Sequence, residues 1–482
     1  MDIPSVNLTV IAPELALTIT ALLLLGLGAF FHKIKRGWLS LLGLIGIAWA
    51  FVYSIQLWDQ EWLGFNGMMA IDNYTLAFNF IFLTGVALTF LFSLNRIEGD
   101  YAPYSEYFAL VLLATVGMML MASGTNLMII FLGLEVLSLS LYVLAGIRRQ
   151  QASSVEAAFK YFLLGAFSTG FLLYGIALLY GVTGTLDLKG VGYILSQPGK
   201  LSSPLVFLSL ALLIVGFGFK VALVPFHMWA PDVYQGAPTP ITGFMSAGTK
   251  AAAFAALVRI LVAAFGAHQL NWSNILWVLA VFTMTLGNVV AISQSNIKRM
   301  LAYSSIAHAG YILVAVVAAN DMGHSGILFY LMAYTFMNVG AFGVVIMIGA
   351  KGEENLEIAD YMGLGYRRPL TALAMAVFMF SLAGIPPTAG FMGKFYIFSA
   401  ALKAGYLWLV IFAVINSLIS VYYYLRVVVY MYMREPEKEP VFAKAVPAVA
   451  LALLIAVVGT LQLGIFPSTL MEIFQNSVKA LM

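Results

Sequence analysis

The stretch Leu212-Leu-Ile-Val-Gly-Phe-Gly-Phe-Lys220-Val-Ala-Leu-Val-Pro225 decides the fold, because it sets a lysine and then a proline inside an otherwise unbroken apolar run. A lysine at the centre of a membrane helix costs about 2.5 to 3.5 kcal/mol on the insertion scale. Lys250 and Lys394 interrupt two further apolar segments and Glu135 a third. Together the four amount to roughly 10 kcal/mol that packing alone would not select. Residues retained at that cost mark function.

The rest of the chain has the composition of a polytopic membrane protein. Of its 482 residues, 62% are hydrophobic and only 9% charged, and the mean hydropathy is +0.96, far outside the soluble globular range. Apolar runs of about 20 residues exceed the ~10 residues of a barrel strand, so helices are expected to satisfy the backbone in lipid. A net charge of +3 points to no particular partner. The chain has no cysteine, which excludes disulfides, thiolate-held iron–sulfur clusters and Cys-type zinc sites; any redox centre must lie elsewhere. Met1-Asp2-Ile3-Pro4 carries no basic region, so the first run reads as a retained helix rather than a cleaved signal. A bacterial inner membrane is the natural setting.

Fourteen spans are expected. Spans 1 to 7 cover 8–31, 38–57, 72–94, 104–122, 126–147, 155–181 and 203–236. Spans 8 to 14 cover 238–265, 273–293, 300–319, 325–350, 370–403, 406–433 and 443–466. No long hydrophilic stretch exists, so residues 1–482 form one membrane domain. Loops after odd-numbered spans hold Lys33, Lys35, Arg36, Arg96, Arg148, Arg149, Lys298, Arg299, Lys351, Arg367, Arg368, Arg434, Lys438 and Lys444. Those on the other side hold only Lys189, Lys200 and Lys403. The positive-inside rule then sets the basic loops in the cytoplasm and both termini in the periplasm.

Spans 7 and 12 are too long for a simple crossing. One contains Pro225, Pro231 and Gly236, the other Gly384-Ile385-Pro386-Pro387, so both are expected to be broken helices with freed backbone groups. They lie five spans apart, an odd offset that inverts orientation, and each break is followed by Gly-Phe-Met and a lysine (243–250 and 390–394). The expected organisation is an N-terminal trio in 1–103 and two inverted five-helix repeats, spans 4 to 8 in 104–265 and spans 9 to 13 in 273–433. Span 14 in 443–482 completes it.

On span 5, Glu135, Ser138 and Tyr142 recur at i, i+3 and i+7 on one face, and Lys220 is the expected cationic partner of Glu135. A purely structural ion pair is the alternative, though buried pairs stabilise poorly compared with apolar packing. Lysine is informative because, unlike arginine, it can release a proton when buried. Glu156 and Lys160 at i, i+4 fit either an ordinary surface pair or a functional one. Tyr303, Ser304, Ser305 and His308 on span 10 add polar faces that interhelical hydrogen bonding also explains, as do Tyr330, Tyr334 and Asn338 on span 11 and Asn416, Ser417 and Ser420 on span 13. His227, after Pro225-Phe226, can donate a proton, cap freed backbone groups or, least favoured, bind a metal with Asp232; His308 is a relay or a satisfied core histidine. Gly393-Lys394 lacks the upstream glycine and following Ser/Thr of a phosphate loop, and nothing reads as a nucleic-acid surface.

The segment Gly218-Phe-Lys-Val-Ala-Leu-Val-Pro-Phe-His-Met-Trp-Ala-Pro-Asp-Val-Tyr-Gln-Gly-Ala-Pro238, with Lys250 beyond it, resembles the antiporter-like subunits of respiratory complex I. Asp232-Val-Tyr-Gln-Gly-Ala-Pro238 narrows the resemblance to the subunit N family of NADH-quinone oxidoreductase. Phe-Leu-Gly-Leu-Glu135, Ser295-Asn-Ile-Lys-Arg-Met-Leu-Ala-Tyr-Ser-Ser305, Ser381-Leu-Ala-Gly-Ile-Pro-Pro387 and Gly390-Phe-Met-Gly-Lys394 extend it over most of the chain. The resemblance implies fourteen helices, inverted repeats, and a mid-membrane charged axis of Glu135, Lys220, Lys250 and Lys394, with Lys394 as the terminal exchanger. Lys160, His227, His308, Tyr303 and Tyr334 would be secondary relays. It implies no cofactor in this chain, with FMN, iron–sulfur clusters and quinone in partner subunits. The partners would be other membrane-arm subunits, especially neighbouring antiporter-like and small hydrophobic ones, and the lipid bilayer. Span 10 offers no carboxylate opposite the glutamate of span 5, so the two halves cannot be equivalent. Proton translocation coupled to quinone reduction is the expected function; a secondary sodium/proton antiporter subunit, or a scaffold whose lysines only bind water, are the alternatives.

Overall fold

A computed structural model describes residues 7–31, 34–94, 104–198, 203–349, 355–435 and 446–481. Among them, thirteen helices are long and apolar enough to cross a membrane, and they correspond one to one with spans 1 to 11, 13 and 14. Span 12 supplies the fourteenth crossing as two shorter helices, 12a (Pro369–Ala383) and 12b (Ala389–Lys403). Span 7 divides in the same manner into 7a (Pro204–Val221) and 7b (Trp229–Gly236). Lys33, Arg96, Lys200, Lys351, Lys438 and Lys444, six of the loop lysines and arginines used for orientation, lie outside the described residues.

Both breaks are closed by a left-handed residue. Ala222 (φ 60°, ψ 49°) caps 7a, with Leu223 N–H donating to Gly218 O at 2.8 Å. Gly384 (φ 87°, ψ 42°) caps 12a, with Ile385 N–H donating to Phe380 O at 3.0 Å. The prolines that follow cannot continue a helix, so the chain must turn here. Side chains satisfy the exposed carbonyls: the Trp229 indole donates to Phe219 O at 2.9 Å on 7a, and Lys394 donates to Leu382 O and Ala383 O at 3.1 and 2.9 Å on 12a. A cation at a helix C-terminus also meets the favourable end of its dipole.

Burial grades from centre to edge. Span 10 (Ile297–Ala318) is 94% buried within the protein and spans 8 (Thr239–Ala263) and 11 (Asp321–Ile348) are 89% buried, whereas spans 2, 6, 9, 13 and 14 are only 28 to 39% buried and face outward. Spans 8 and 11 each contain one wide π-helical turn, Met245–Thr249 and Thr335–Val339. These turns pack against each other, and Asn338 Nδ2 donates to Ser246 Oγ at 2.5 Å. Lys250 follows the first of them directly.

Spans 4 and 5 form one of the closest helix pairs and spans 9 and 10 another, each around a glycine. A Cβ on Gly117 would lie 2.5 Å from Leu137 N and 2.6 Å from Gly133 O; one on Gly287 would lie 2.7 Å from Ala307 N and 3.0 Å from Tyr303 O. Small residues let apolar helices approach in this way without a hydrophobic driving force. Ahead of span 5, Asn126 caps the helix and bridges Asp187; ahead of span 10, Asn296 caps and bridges Glu357. The flanking bonds match too: Leu127 N to Leu186 O and Leu188 N to Thr125 O in one, Ile297 N to Leu356 O and Ile358 N to Ser295 O in the other. Every pair of positions recurs at one constant offset.

As the span bounds imply, Gly243-Phe-Met245 lies within span 8, whereas Gly390-Phe-Met392 opens 12b, so Lys250 and Lys394 stand at different distances from their breaks. Three further elements were not anticipated: an antiparallel hairpin (Trp62–Gly64 with Met69–Ile71) and two short amphipathic helices, Leu188–Leu195 and Ser468–Val478. Each is shorter than the window that reveals a span.

Candidate functional site

Among the described residues four lysines are buried: Lys298 near the start of span 10, whose amine donates to Ala237 O at 2.6 Å, and three deeper in their spans. Lys220, Lys250 and Lys394 are 2%, 1% and 4% exposed, so each amine must find its partners in the protein. Lys220 ends 7a, and its Nζ donates to Ser138 Oγ on span 5 at 2.6 Å, between the rings of Tyr142 and Tyr161 (5.6 and 5.4 Å to the centroids). Glu135, one turn away on span 5, is half-buried, and its Oε1 accepts from Thr169 Oγ1 at 2.9 Å. The expected direct Glu135–Lys220 ion pair is therefore absent: a span 5 hydroxyl, Ser138, takes up the lysine, and a span 6 hydroxyl, Thr169, bonds the carboxylate.

Lys250 donates to Ser305 Oγ on span 10 and lies over the Tyr234 ring at 5.9 Å. From there a hydroxyl and imidazole series continues. Ser304, next to Ser305, bonds Tyr424 OH; Tyr424 OH bonds His308 Nε2 at 3.0 Å; His308 Nδ1 bonds Tyr330 OH at 2.6 Å. Tyr330 packs on the backbone of Gly393, beside Lys394. Lys394 donates to Ser417 Oγ at 2.9 Å as well as to the 12a carbonyls, and lies 4.9 Å from the Tyr311 ring centre. Tyr311 OH accepts from Asn288 Nδ2 at 2.9 Å, and Asn288 Oδ1 accepts from Tyr423 OH at 2.8 Å.

Between Lys220 and Lys250 the connection is aromatic. Tyr161 stacks on Trp229 at 4.6 Å, and Trp229 meets the edge of Tyr234 at 5.9 Å. The hydroxyls of Tyr142, Tyr161 and Tyr334 are buried, that of Tyr142 beside Ser138 and that of Tyr334 beside Ser305.

The other sequence candidates divide. Tyr334 belongs to the site, its ring 5.0 Å from His308. Tyr303 is half-buried, and its hydroxyl joins none of these bonds. His227 lies in the break of span 7, partly buried, with the backbone of Pro225 beside its ring; among the described residues no group of three or more His, Cys, Asp or Glu can hold a metal ion. Lys160 pairs with Glu156 at 2.7 Å and also with Asp232 of 7b at 2.7 Å, and Arg299 reaches Asp232 at 2.8 Å. The i, i+4 pair is thus part of a half-exposed network joining spans 6, 7b and 10.

Comparison with known proteins adds the family. The family described as NADH:quinone oxidoreductase/Mrp antiporter, transmembrane, matches residues 124–420. NADH-quinone oxidoreductase subunit N of Trichlorobacter lovleyi is 52% identical, over 98% of this chain and 98% of its own. This chain belongs to the NADH-quinone oxidoreductase subunit N family. A subunit N from Roseiflexus castenholzii is 46% identical over 95% of this chain and 94% of its own. Among solved structures, a chain of respiratory complex I from Thermus thermophilus with bound aureothin is 38% identical with a TM-score of 0.82, covering 95% of this chain and 98% of that one. A chain of the Mrp complex from Dietzia sp. has a TM-score of 0.84 at 23% identity, covering 97% of each, and shares the fold.

In this subunit N family member, several site residues escaped sequence reasoning. Tyr423 and Tyr424 continue the Asn416–Ser417–Ser420 stripe by one turn, so extending that period would have found them. Thr169 and Tyr161 lie on span 6 among Lys160 and Ser168, and Asn288 lies on span 9 near Thr283 and Thr285, but none of these groups includes a charge paired in the core, so none stood out. Arg259 and Asp72 were also missed: the guanidinium grips the carboxylate at 2.9 and 3.0 Å, both nearly fully buried, and joins span 8 to the cap of span 3.

Proposed function

We propose that this chain is a proton-translocating membrane-arm subunit of an NADH-quinone oxidoreductase, in which electron transfer from NADH to quinone in partner subunits drives protons along Glu135, Lys220, Lys250 and Lys394. The observation that carries this reading is the series of three core lysines, each donating to a hydroxyl, with the Ser304–Tyr424–His308–Tyr330 bonds between the second and third. Apolar packing would not retain such groups at ~2.5 to 3.5 kcal/mol each. A hydroxyl accepts from a charged lysine and donates to a neutral one, so each lysine can gain or lose a proton without losing its partner.

Glu135 acts as the gate of the first step. Lys220 bonds Ser138 in one position, and its flexible stem reaches toward Glu135 three residues earlier, about 4.5 Å along the helix. In contact with the carboxylate the lysine holds its proton; at Ser138, farther from that charge, it passes the proton on. Lys250 relays between halves that we read as two inverted five-helix units, a reading favoured by the recurring caps, bridges and glycine contacts. His308 and Tyr334 carry the proton onward. Lys394 is the terminal site: a groove of about 460 Å³ lined by Gly384, Phe391, Phe395 and Leu418 opens beside it. Lys160 and His227 serve the approach to Lys220, and Tyr303 borders the relay. Flavin, iron–sulfur and quinone chemistry belongs to partner subunits. Both termini are assigned to the periplasm of a bacterial inner membrane.

The test is proton pumping by the assembled complex in vesicles driven by NADH. Lys220→Ala and Glu135→Ala should each lower pumping while the complex keeps its flavin absorbance. Unchanged pumping in both would sink the roles given to the pair.

A further inference from the structure

Unbroken helices and a constant offset bring span 5 and span 10 into register. Thr125 answers Ser295, Asn126 answers Asn296, Gly133 answers Tyr303 and Leu137 answers Ala307, each through the same bond or contact in both places. No residue is gained or lost between these anchors, because Leu127–Ala145 and Ile297–Ala318 are continuous α-helix. The position of Glu135 is therefore filled in the second half by Ser305, and that of Ser138 by His308. Ser305 is the residue to which Lys250 donates.

We infer that Ser305 is a positioning residue for Lys250: its hydroxyl stands where the first half has a carboxylate and holds the amine without an opposing charge. This rests on the proton-path reading above. The surroundings agree with it. Lys250 meets Ser305 from span 10 and the Tyr234 ring from 7b; the preceding turn of its own helix lies against Met118 of span 4 and Asn338 of span 11. Among the described residues Lys250 forms no ion pair. A carboxylate can only accept from lysine and would fix its charge, whereas a hydroxyl bonds both the charged and the neutral form. The substitution also supplies a second hydroxyl next to Ser304, whose bond to Tyr424 begins the series toward His308. A site that must pass its proton on, rather than store it, is served by serine at this position.

The experiment compares Ser305→Ala, Ser305→Cys and Ser305→Thr with Lys250→Ala in the intact complex. Protons pumped per NADH oxidised are measured in vesicles, with flavin absorbance normalising assembly. Alanine and the size-matched but poorly bonding cysteine are expected to lower the ratio at least twofold, with threonine, which keeps the hydroxyl, restoring it. Loss in Lys250→Ala with a normal ratio in Ser305→Ala overturns the role of Ser305 alone. An equal loss in all three Ser305 variants also overturns it, since packing would then be the cause. Normal ratios in Lys250→Ala and Ser305→Ala together overturn both this inference and the path through Lys250.

Discussion

Lys220 Nζ stands 2.6 Å from Ser138 Oγ, one turn along span 5 from Glu135, so a neutral partner and an anionic acceptor not paired with it lie on the helix face before the lysine. A hydrogen bond from a charged donor contributes about 1.5–3 kcal/mol, equivalent to roughly ten- to hundredfold in an equilibrium. Ser138→Ala is expected to bias Lys220 toward Glu135, slowing release. Pumping should fall at least severalfold in vesicles while NADH oxidation by the flavin-containing partners continues; a normal pumping rate in Ser138→Ala would remove the two-partner account.

His308 bridges two tyrosines through its two ring nitrogens. Replacing His308 with Gln, or Tyr424 with Phe, interrupts that bridge at one atom each. Both variants should lower pumping by a similar factor, and the double variant should be little worse than either, because groups acting as a unit are non-additive. Fully additive losses, measured in the same vesicle assay, would show that the two residues act separately.

Arg259 and Asp72 form a buried bidentate pair. Removing one partner strands a charge and costs about 3–5 kcal/mol. Arg259→Met or Asp72→Leu alone should lower the melting temperature of the purified complex, whereas combining them should recover part of the loss. A double variant less stable than both singles would contradict this.

The network of Lys160, Glu156, Asp232 and Arg299 is exposed enough for salt to screen it, with Asp232 at 36% and Lys160 at 39% side-chain exposure. Pairs of this kind contribute about 0.2–1 kcal/mol. Asp232→Asn should therefore leave assembly intact and alter pumping modestly at low ionic strength, with the difference shrinking as salt is raised. A defect that persists at high salt would assign Asp232 a role beyond ion pairing.

The sequence disclosed what hydropathy, proline and isolated charge can disclose. Fourteen crossings, the breaks after Lys220 and before Lys394, and the central residues were readable because each violates or satisfies a strong membrane rule. Bond partners were not readable. Whether Lys220 reaches Glu135 or Ser138 depends on a lysine rotamer and on the tilt of 7a, and the two acceptors differ by one helical turn. The Thr169 partner of Glu135 was hidden for the same reason: a threonine in an apolar helix usually bonds its own backbone. The hairpin at Trp62–Ile71 escaped because a three-residue strand leaves no period to detect.

The wide turns in spans 8 and 11 mean that aim is encoded by residue number as well as by residue kind. In an α-helix each residue advances the side-chain direction by about 100°. A π turn accommodates one residue more than the surrounding helix needs, so the Met245–Thr249 turn fixes the azimuth at which Lys250 leaves its axis. Shortening that turn by a single residue would leave every chemical group of the path in the chain and swing the lysine toward a different neighbour. Two chains with the same lysine, serine and histidine can thus differ in conduction through nothing more than a count.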